Sequence, residues 1–147
     1  MTGKSTLIKL LDGLYEPNDG RITFNDIDIA AINPDSIRKR ISIVSQNIFL
    51  FRGTVLENIL YGQEEKERKD VEKLISDLKL AHYISRLPKG LDTEIIQNSS
   101  GISGGQTHVI AFIRAILSNK DIIILDEPIS NVDAETRNII LCILKDS

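Results

Sequence analysis

The strongest constraint on how this chain can fold is an order of pieces near its end. Ile102-Ser103-Gly104-Gly105-Gln106 is followed by an apolar-rich stretch of helical period. After that comes the apolar run Ile122-Ile123-Ile124-Leu125, closed by Asp126-Glu127-Pro128. A serine followed by two glycines lets backbone amides approach a phosphate closely. A strand that ends in Asp-Glu sets one carboxylate for a metal and the next near a water.

The preceding residues alternate in the same way. Residues 4–14 read as a helix through the stripe Leu7, Ile8, Leu10, Leu11 and Leu14, with Gly13 weakening its end. Residues 16–20 are a turn cluster, and a short strand over 21–24 is turned by Asn25-Asp26. Asn33 as N-cap and Pro34 at the first position open a short helix through Arg40. Residues 41–44 read as a buried strand that ends at Ser45-Gln46. Further helices are expected at 54–60, 70–78 and 84–87, then from a Ser103 cap to Leu117. A last helix covers 134–145, with Val132 or Asp133 at its entry, and residues 98–101 form a loop. The strands starting at Ile41 and Ile122 are dominated by apolar residues, the pattern of a parallel sheet buried on both faces. The stretch from 53 to 117 shows helices and no convincing strand, so it reads as a helical insertion between two sheet strands.

Composition narrows the partners. The chain has 147 residues, 41% hydrophobic and 27% charged, enough for one soluble domain with its own core. Its net charge of -3 gives no basic footprint for nucleic acid, and without Trp a base-stacking platform is disfavoured. The single cysteine, Cys142, cannot form an internal disulfide and reads as a small buried hydrophobe. His82 and His108 lack metal-ligand spacing. No apolar run approaches the ~20 residues that cross a bilayer, and Arg114 interrupts the run from Val109 to Leu117. The opening residues lack the apolar region of a signal peptide. A cytosolic chain is expected, linked to a membrane only through a partner.

Thr2-Gly3-Lys4-Ser5-Thr6, before an amphipathic helix, matches the second half of a phosphate-binding loop. Gly3 would turn the backbone, helix amides would face the phosphates, Lys4 would reach the β- and γ-phosphates and Ser5 would ligate Mg²⁺. By itself the segment is also a capped helix start that carries a lysine.

Taken together, Ser103-Gly104-Gly105-Gln106 and Ile122 to Pro128 resemble the signature and Walker B motifs of ABC-type ATPases. The stretch from Val44 to Ile59, Val-Ser-Gln-Asn-Ile-Phe-Leu-Phe-Arg-Gly-Thr-Val-Leu-Glu-Asn-Ile, resembles the Q-loop of the family's exporters, and Ser130 to Asp133 resembles its D-loop. The resemblance covers nearly the whole chain. It implies an α/β fold: a P-loop NTPase core with a mainly parallel sheet over 1–52 and 119–147, and a helical subdomain with the signature over about 53–118.

The resemblance also implies ATP and Mg²⁺ as ligands. The nucleotide would be held by Thr2, Gly3, Lys4, Ser5, Thr6, Gln46 and Asp126, and by Ser103, Gly104, Gly105 and Gln106 of a second copy, whose Asp133 would cross the interface to the phosphate loop. Ser5, Gln46 and Asp126 would hold the metal, Asp126 through water. Glu127 would be the general base, assisted by Gln46 and Lys4. Asp133 is equally a good N-cap for the final helix. Alone, Gln46 would read as a hydrogen-bonded strand end, and Phe49, Leu50 and Phe51 as core or as a patch for a membrane partner.

The implied partners are the transmembrane domain of an exporter and a second nucleotide-binding domain, head to tail, with no nucleic acid. The implied place is the cytoplasmic side of the plasma membrane, and the implied function is ATP hydrolysis that drives export. The chain departs from the family pattern at Ile95-Ile96-Gln97, which lacks an acid, and at Thr107-His108-Val109, which lacks basic residues. An incomplete domain is expected, without the first glycine of the phosphate loop, its feeding strand, the adenine-stacking aromatic or the switch histidine. Weak ATP binding and slow hydrolysis follow from that expectation. Two other readings are a soluble ABC-type ATPase acting in DNA repair or translation, and a non-catalytic remnant or interaction module.

Overall fold

In the computed structural model, residues 3–96, 102–129 and 132–146 are described. Helix α1 (Lys4–Leu11) starts at Gly3, whose left-handed backbone (φ 66°) turns the chain into the helix. It is shorter than the 4–14 stripe suggests. The amides of Leu14 and Tyr15 turn back onto the Lys9 carbonyl, and Gly13 takes a positive φ of 68°. No residue of α1 is fully buried.

Strands β1 (Thr23–Phe24) and β2 (Ile27–Asp28) form a two-residue antiparallel hairpin. Its turn residues Asn25 and Asp26 have φ of 49° and 65°, the positive values that a tight hairpin turn demands. Helix α2 (Pro34–Arg38) opens on Asn33, whose side chain accepts a hydrogen bond from the Asp35 amide at 2.9 Å. Strand β3 (Ile41–Val44) follows at once.

The segment read as wholly helical contains a small strand pair. Strands β4 (Gly53–Thr54) and β5 (Glu94–Ile95) run antiparallel, with Gly53 opposite Ile95. Between them lie α3 (Val55–Leu60), α4 (Arg68–Asp77) and α5 (Ala81–Ile84). Helix α5 begins earlier than the 84–87 turn read from sequence, with Ile84 and Leu87 both buried at its end. The loop expected over 98–101 lies outside the described residues. Helix α6 (Gly104–Leu117) leads into β6 (Ile122–Leu125), and α7 (Ala134–Asp146) follows.

Strands β3 and β6 are parallel neighbours, in register from Ile41 opposite Ile122 to Val44 opposite Leu125. The expectation of burial on both faces is not met. Ile41 and Val44 are buried, but Ile122 is exposed and residues 123–125 are half-buried. Among the described residues no third strand joins the pair.

The core is centred on α6, which packs against α3, α4, α7 and β3. Val55, Ile59, Val71, Val109, Phe112 and Ile113 have essentially no exposed surface, and Ile140 and Ile143 of α7 complete the cluster. Each such side chain stabilises the fold by about 1.5–3 kcal/mol relative to leaving it in water. Cys142 is a correction to the buried reading: it is exposed. The helical period that turns Ile140 and Ile143 inward carries Leu141 and Cys142, between them, to the outside.

Candidate functional site

The register of β3 and β6 builds the site. With Val44 beside Leu125, the Asp126 amide still donates to the Val44 carbonyl at 2.9 Å, so the two strands end together. Gln46 and Glu127 therefore emerge side by side, and Gln46 Nε2 donates to Glu127 Oε2 at 3.2 Å. From the other direction Lys4, the first residue of α1, forms an ion pair and hydrogen bond with Glu127 Oε1. Residues 4, 46 and 127 thus meet at one carboxylate.

That carboxylate is held on an unusual backbone. Glu127 has a φ of 52°, left-handed for a non-glycine residue, at a cost of order 1–3 kcal/mol. Lys4 and Glu127 both remain open to solvent, with side chains 56% and 38% exposed. The hydrogen bond to Glu127 and its charge hold the Lys4 ammonium above its ordinary pKa, with Asp126 adding a smaller pull.

The first turn of α1 has spare donors. Its N-cap is a glycine, and among the described residues no side chain caps the leading amides of the helix. Such an end attracts anions through its aligned amides and its dipole. Ser5 and Thr6 are exposed on this turn, and Thr2 lies outside the described residues. Among the described residues no cluster of three His, Cys, Asp or Glu could hold a metal unaided. A hydroxyl from Ser5, an amide oxygen from Gln46 and a carboxylate from Asp126 are hard oxygen donors. Mg²⁺ commonly binds through one or two carboxylates plus substrate phosphates, so this donor set fits it.

A second group surrounds the start of α6. The Ser103 hydroxyl accepts from the Gln106 amide at 3.2 Å, and Gln106 Oε1 accepts from the Ser103 amide at 2.8 Å. This reciprocal box occupies two donors at the helix start, and among the described residues no side chain caps the amides of Gly104 and Gly105. Thr107 and His108 turn back onto the helix. The Thr107 hydroxyl donates to the Ser103 carbonyl at 3.1 Å, and His108 Nδ1 lies 2.9 Å from the Gly104 carbonyl oxygen.

Gly105 must be glycine for a reason inside this chain. A Cβ there would lie 2.4 Å from Thr136 Oγ1 and 2.8 Å from Asp133 Oδ2. Asp133 caps α7, accepting from the Thr136 amide at 2.9 Å and from the Thr136 hydroxyl at 2.8 Å. These bonds, the amide first, hold its carboxyl below the ordinary value of 3.8. The structure therefore brings Lys4, Gln46 and Glu127 together in one place and Gly105 and Asp133 together in another. Ser130 and Asn131 lie outside the described residues.

Three residues to which the sequence assigned no site role matter here. Asn58 is completely buried; its side chain accepts from the Phe51 amide and donates to the Phe51 and Thr54 carbonyls, each at 3.0 Å. Arg114 reaches the same segment from α6. Thr136, 1% exposed, links Asp133 to the start of α6. The available signal for Asn58 was its position three residues after Val55, on the inward face of α3.

The parallel strand pair, the glycine-led start of α1 and the strand-end acid pair define a P-loop NTPase core. The chain matches the family described as ABC transporter over residues 2–130, and it belongs to that family. It is 44% identical over 134 residues to an uncharacterized ABC transporter ATP-binding protein, YfiC, of Bacillus subtilis, covering 91% of this chain and 22% of that one. It is 41% identical over 147 residues to an ATP-dependent lipid A-core flippase of Legionella pneumophila, covering 98% of this chain and 24% of that one. A bacterial Atm1-family ABC exporter solved with ATP bound matches with a TM-score of 0.87 at 35% identity, over 99% of this chain and 26% of that one. The chain thus spans about a quarter or less of the length of these relatives. Among the described residues no helix is long and apolar enough to cross a membrane.

Proposed function

We propose that this chain binds MgATP on the first turn of α1 and hydrolyses it with Glu127, as the nucleotide-binding unit of an ABC exporter. The observation that carries the reading is the convergence of Lys4 and Gln46 on Glu127, from sequence positions far apart.

In the reaction, water attacks the γ-phosphorus in line, the bond to the β–γ bridging oxygen breaks, and ADP and phosphate form. When nucleotide enters, Lys4 exchanges the Glu127 carboxylate for β- and γ-phosphate oxygens, where its charge offsets theirs. Glu127, released from Lys4, accepts the proton of the attacking water. Gln46 holds that water or the metal with its amide oxygen. Ser5, Gln46 and, through water, Asp126 would hold a magnesium ion, which would supply charge neutralisation for the phosphate oxygens. Gly3, Thr6 and Thr2 shape the cradle.

The other half of the nucleotide site comes from a second copy. There Ser103 and the amides of Gly104 and Gly105 face the γ-phosphate, Gln106 fixes their loop, and Asp133 stands at the dimer interface. Residues 53–118, based on the β4–β5 pair, form the helical subdomain, and residues 1–52 and 119–147 form the core. Exposed Phe49 and Tyr61, beside Phe51, offer an apolar patch to a transmembrane partner at the cytoplasmic face of the membrane.

Mixing inactive variants tests this reading. Lys4→Ala and Ser103→Arg each disable both sites of a homodimer, but a mixed dimer keeps one intact site. Equal mixing should restore about a quarter of the wild-type ATPase rate if the sites form head to tail. A mixture as inactive as its components contradicts it.

A further inference from the structure

We infer that Arg114 is a positioning residue, the tie that holds the segment after Gln46 against α3 and α6. The starting observation is a half-buried guanidinium for which no carboxylate among the described residues comes within ion-pair reach. Burial pushes its pKa down from the ordinary arginine value. A charge taken out of water is costly unless hydrogen bonds replace its hydration, and here the replacements converge on one stretch of chain. Arg114 Nε donates to the Asn58 carbonyl at 2.6 Å, Nη2 to Asn58 Oδ1 at 3.3 Å, and Nη1 lies 3.5 Å from the Phe49 carbonyl oxygen.

These contacts reach two kinds of target. The Asn58 carbonyl belongs to the last turn of α3, one of the acceptors that a helix leaves without an internal partner. Asn58 Oδ1 is the atom that accepts from the Phe51 amide. By orienting the Asn58 amide, Arg114 fixes the Phe51 backbone indirectly, and it touches Phe49 directly. The guanidinium also stands 5.9 Å from the centre of the Tyr61 ring, which packs on Phe51 at 5.1 Å.

The consequence is a link along α6. Ser103, its cap, is eleven residues before Arg114, or about 16 Å of helix at 1.5 Å per residue. One rigid helix therefore carries the Ser103-Gly104-Gly105 turn at one end and grips the chain leaving Gln46 at the other. A displacement at either end is passed to the other. This inference deepens the function proposed above, but the contacts that carry it need no nucleotide.

The test is amide hydrogen exchange on the full chain, comparing wild type with Arg114→Lys. Lysine keeps the charge and most of the stem but cannot reproduce the fork that serves three acceptors. The expected result is exchange at least tenfold faster at residues 47–51, and at the Phe51 amide above all, with Val109–Ile113 unchanged. Arg68→Lys, which alters an exposed ion pair, should leave residues 47–51 as in wild type. Unchanged exchange at 47–51 in Arg114→Lys overturns the inference, and so does a uniform acceleration across the chain. The same samples titrated with MgATP read the proposed function separately. A chain that binds no nucleotide yet shows the local effect removes that function and leaves Arg114 in its role.

Discussion

Asp133 shows how one carboxylate serves a helix end and a neighbouring turn together. It caps α7 through Thr136 while its Oδ2 crowds the Gly105 backbone. Its carboxyl titrates below the ordinary 3.8 in the fold, because the Thr136 amide and hydroxyl favour the charged form. Folding is therefore aided by Asp133 at every pH above the unfolded value, and that aid disappears as pH falls through the lowered folded value. The unfolding midpoints of wild type and Asp133→Ala should stay a constant distance apart from pH 8 to pH 5 and converge below about pH 4. A gap that persists undiminished to pH 2 contradicts this assignment. Asp133 was legible as a cap from its place before the last helix. Thr136 was not, because its importance comes from α6 pressing on it, a contact that no local pattern encodes.

At the scale of the element, α3 depends on one buried amide. Asn58 pairs with both polar backbone groups of Phe51 and with the Thr54 carbonyl, and it has no exposed surface. Asn58→Ala leaves those groups unpaired inside the protein, at about 1–3 kcal/mol for each one that water cannot reach. A loss of about 3 kcal/mol is expected, read by chemical denaturation. A loss below about 0.5 kcal/mol, the range of ordinary surface changes, would mean that the segment finds other partners.

The elements that sequence reveals are those that carry their own local signals. Asn33-Pro34 opening α2 and Ser103 with Gln106 opening α6 are readable because a cap is set by residues within one turn. Strands β2, β4 and β5 are two residues each, too short for an alternation to show. The end of α1 was misread for the opposite reason: the apolar stripe continues through Leu14, but a backbone turn at Gly13 has already ended the helix.

Across the whole molecule, the site exists because distant parts of the chain arrive at one place. Lys4 and Glu127 meet although 123 positions separate them, and Gln46 reaches Glu127 because β3 and β6 pair in their observed register. A one-residue slip would turn Glu127 away from Gln46, since successive strand side chains face opposite ways. The motifs named the residue types at the site, and the strand pairing supplied their geometry. Asn58 and Arg114 stayed hidden because their partners are backbone groups of a segment with no regular period of its own.

The central claim is that Lys4 and Glu127 mark the place where the phosphates of MgATP bind. Calorimetric titration of MgATP into wild type, Glu127→Gln and Lys4→Ala tests it most directly. Glu127→Gln removes a negative charge from beside the phosphates and frees the ammonium that it held, so it should bind MgATP more tightly than wild type while losing about 10²–10⁴ in turnover. Lys4→Ala should lose saturable binding. Equal affinity in all three chains, or no saturable binding in any of them, would contradict the account.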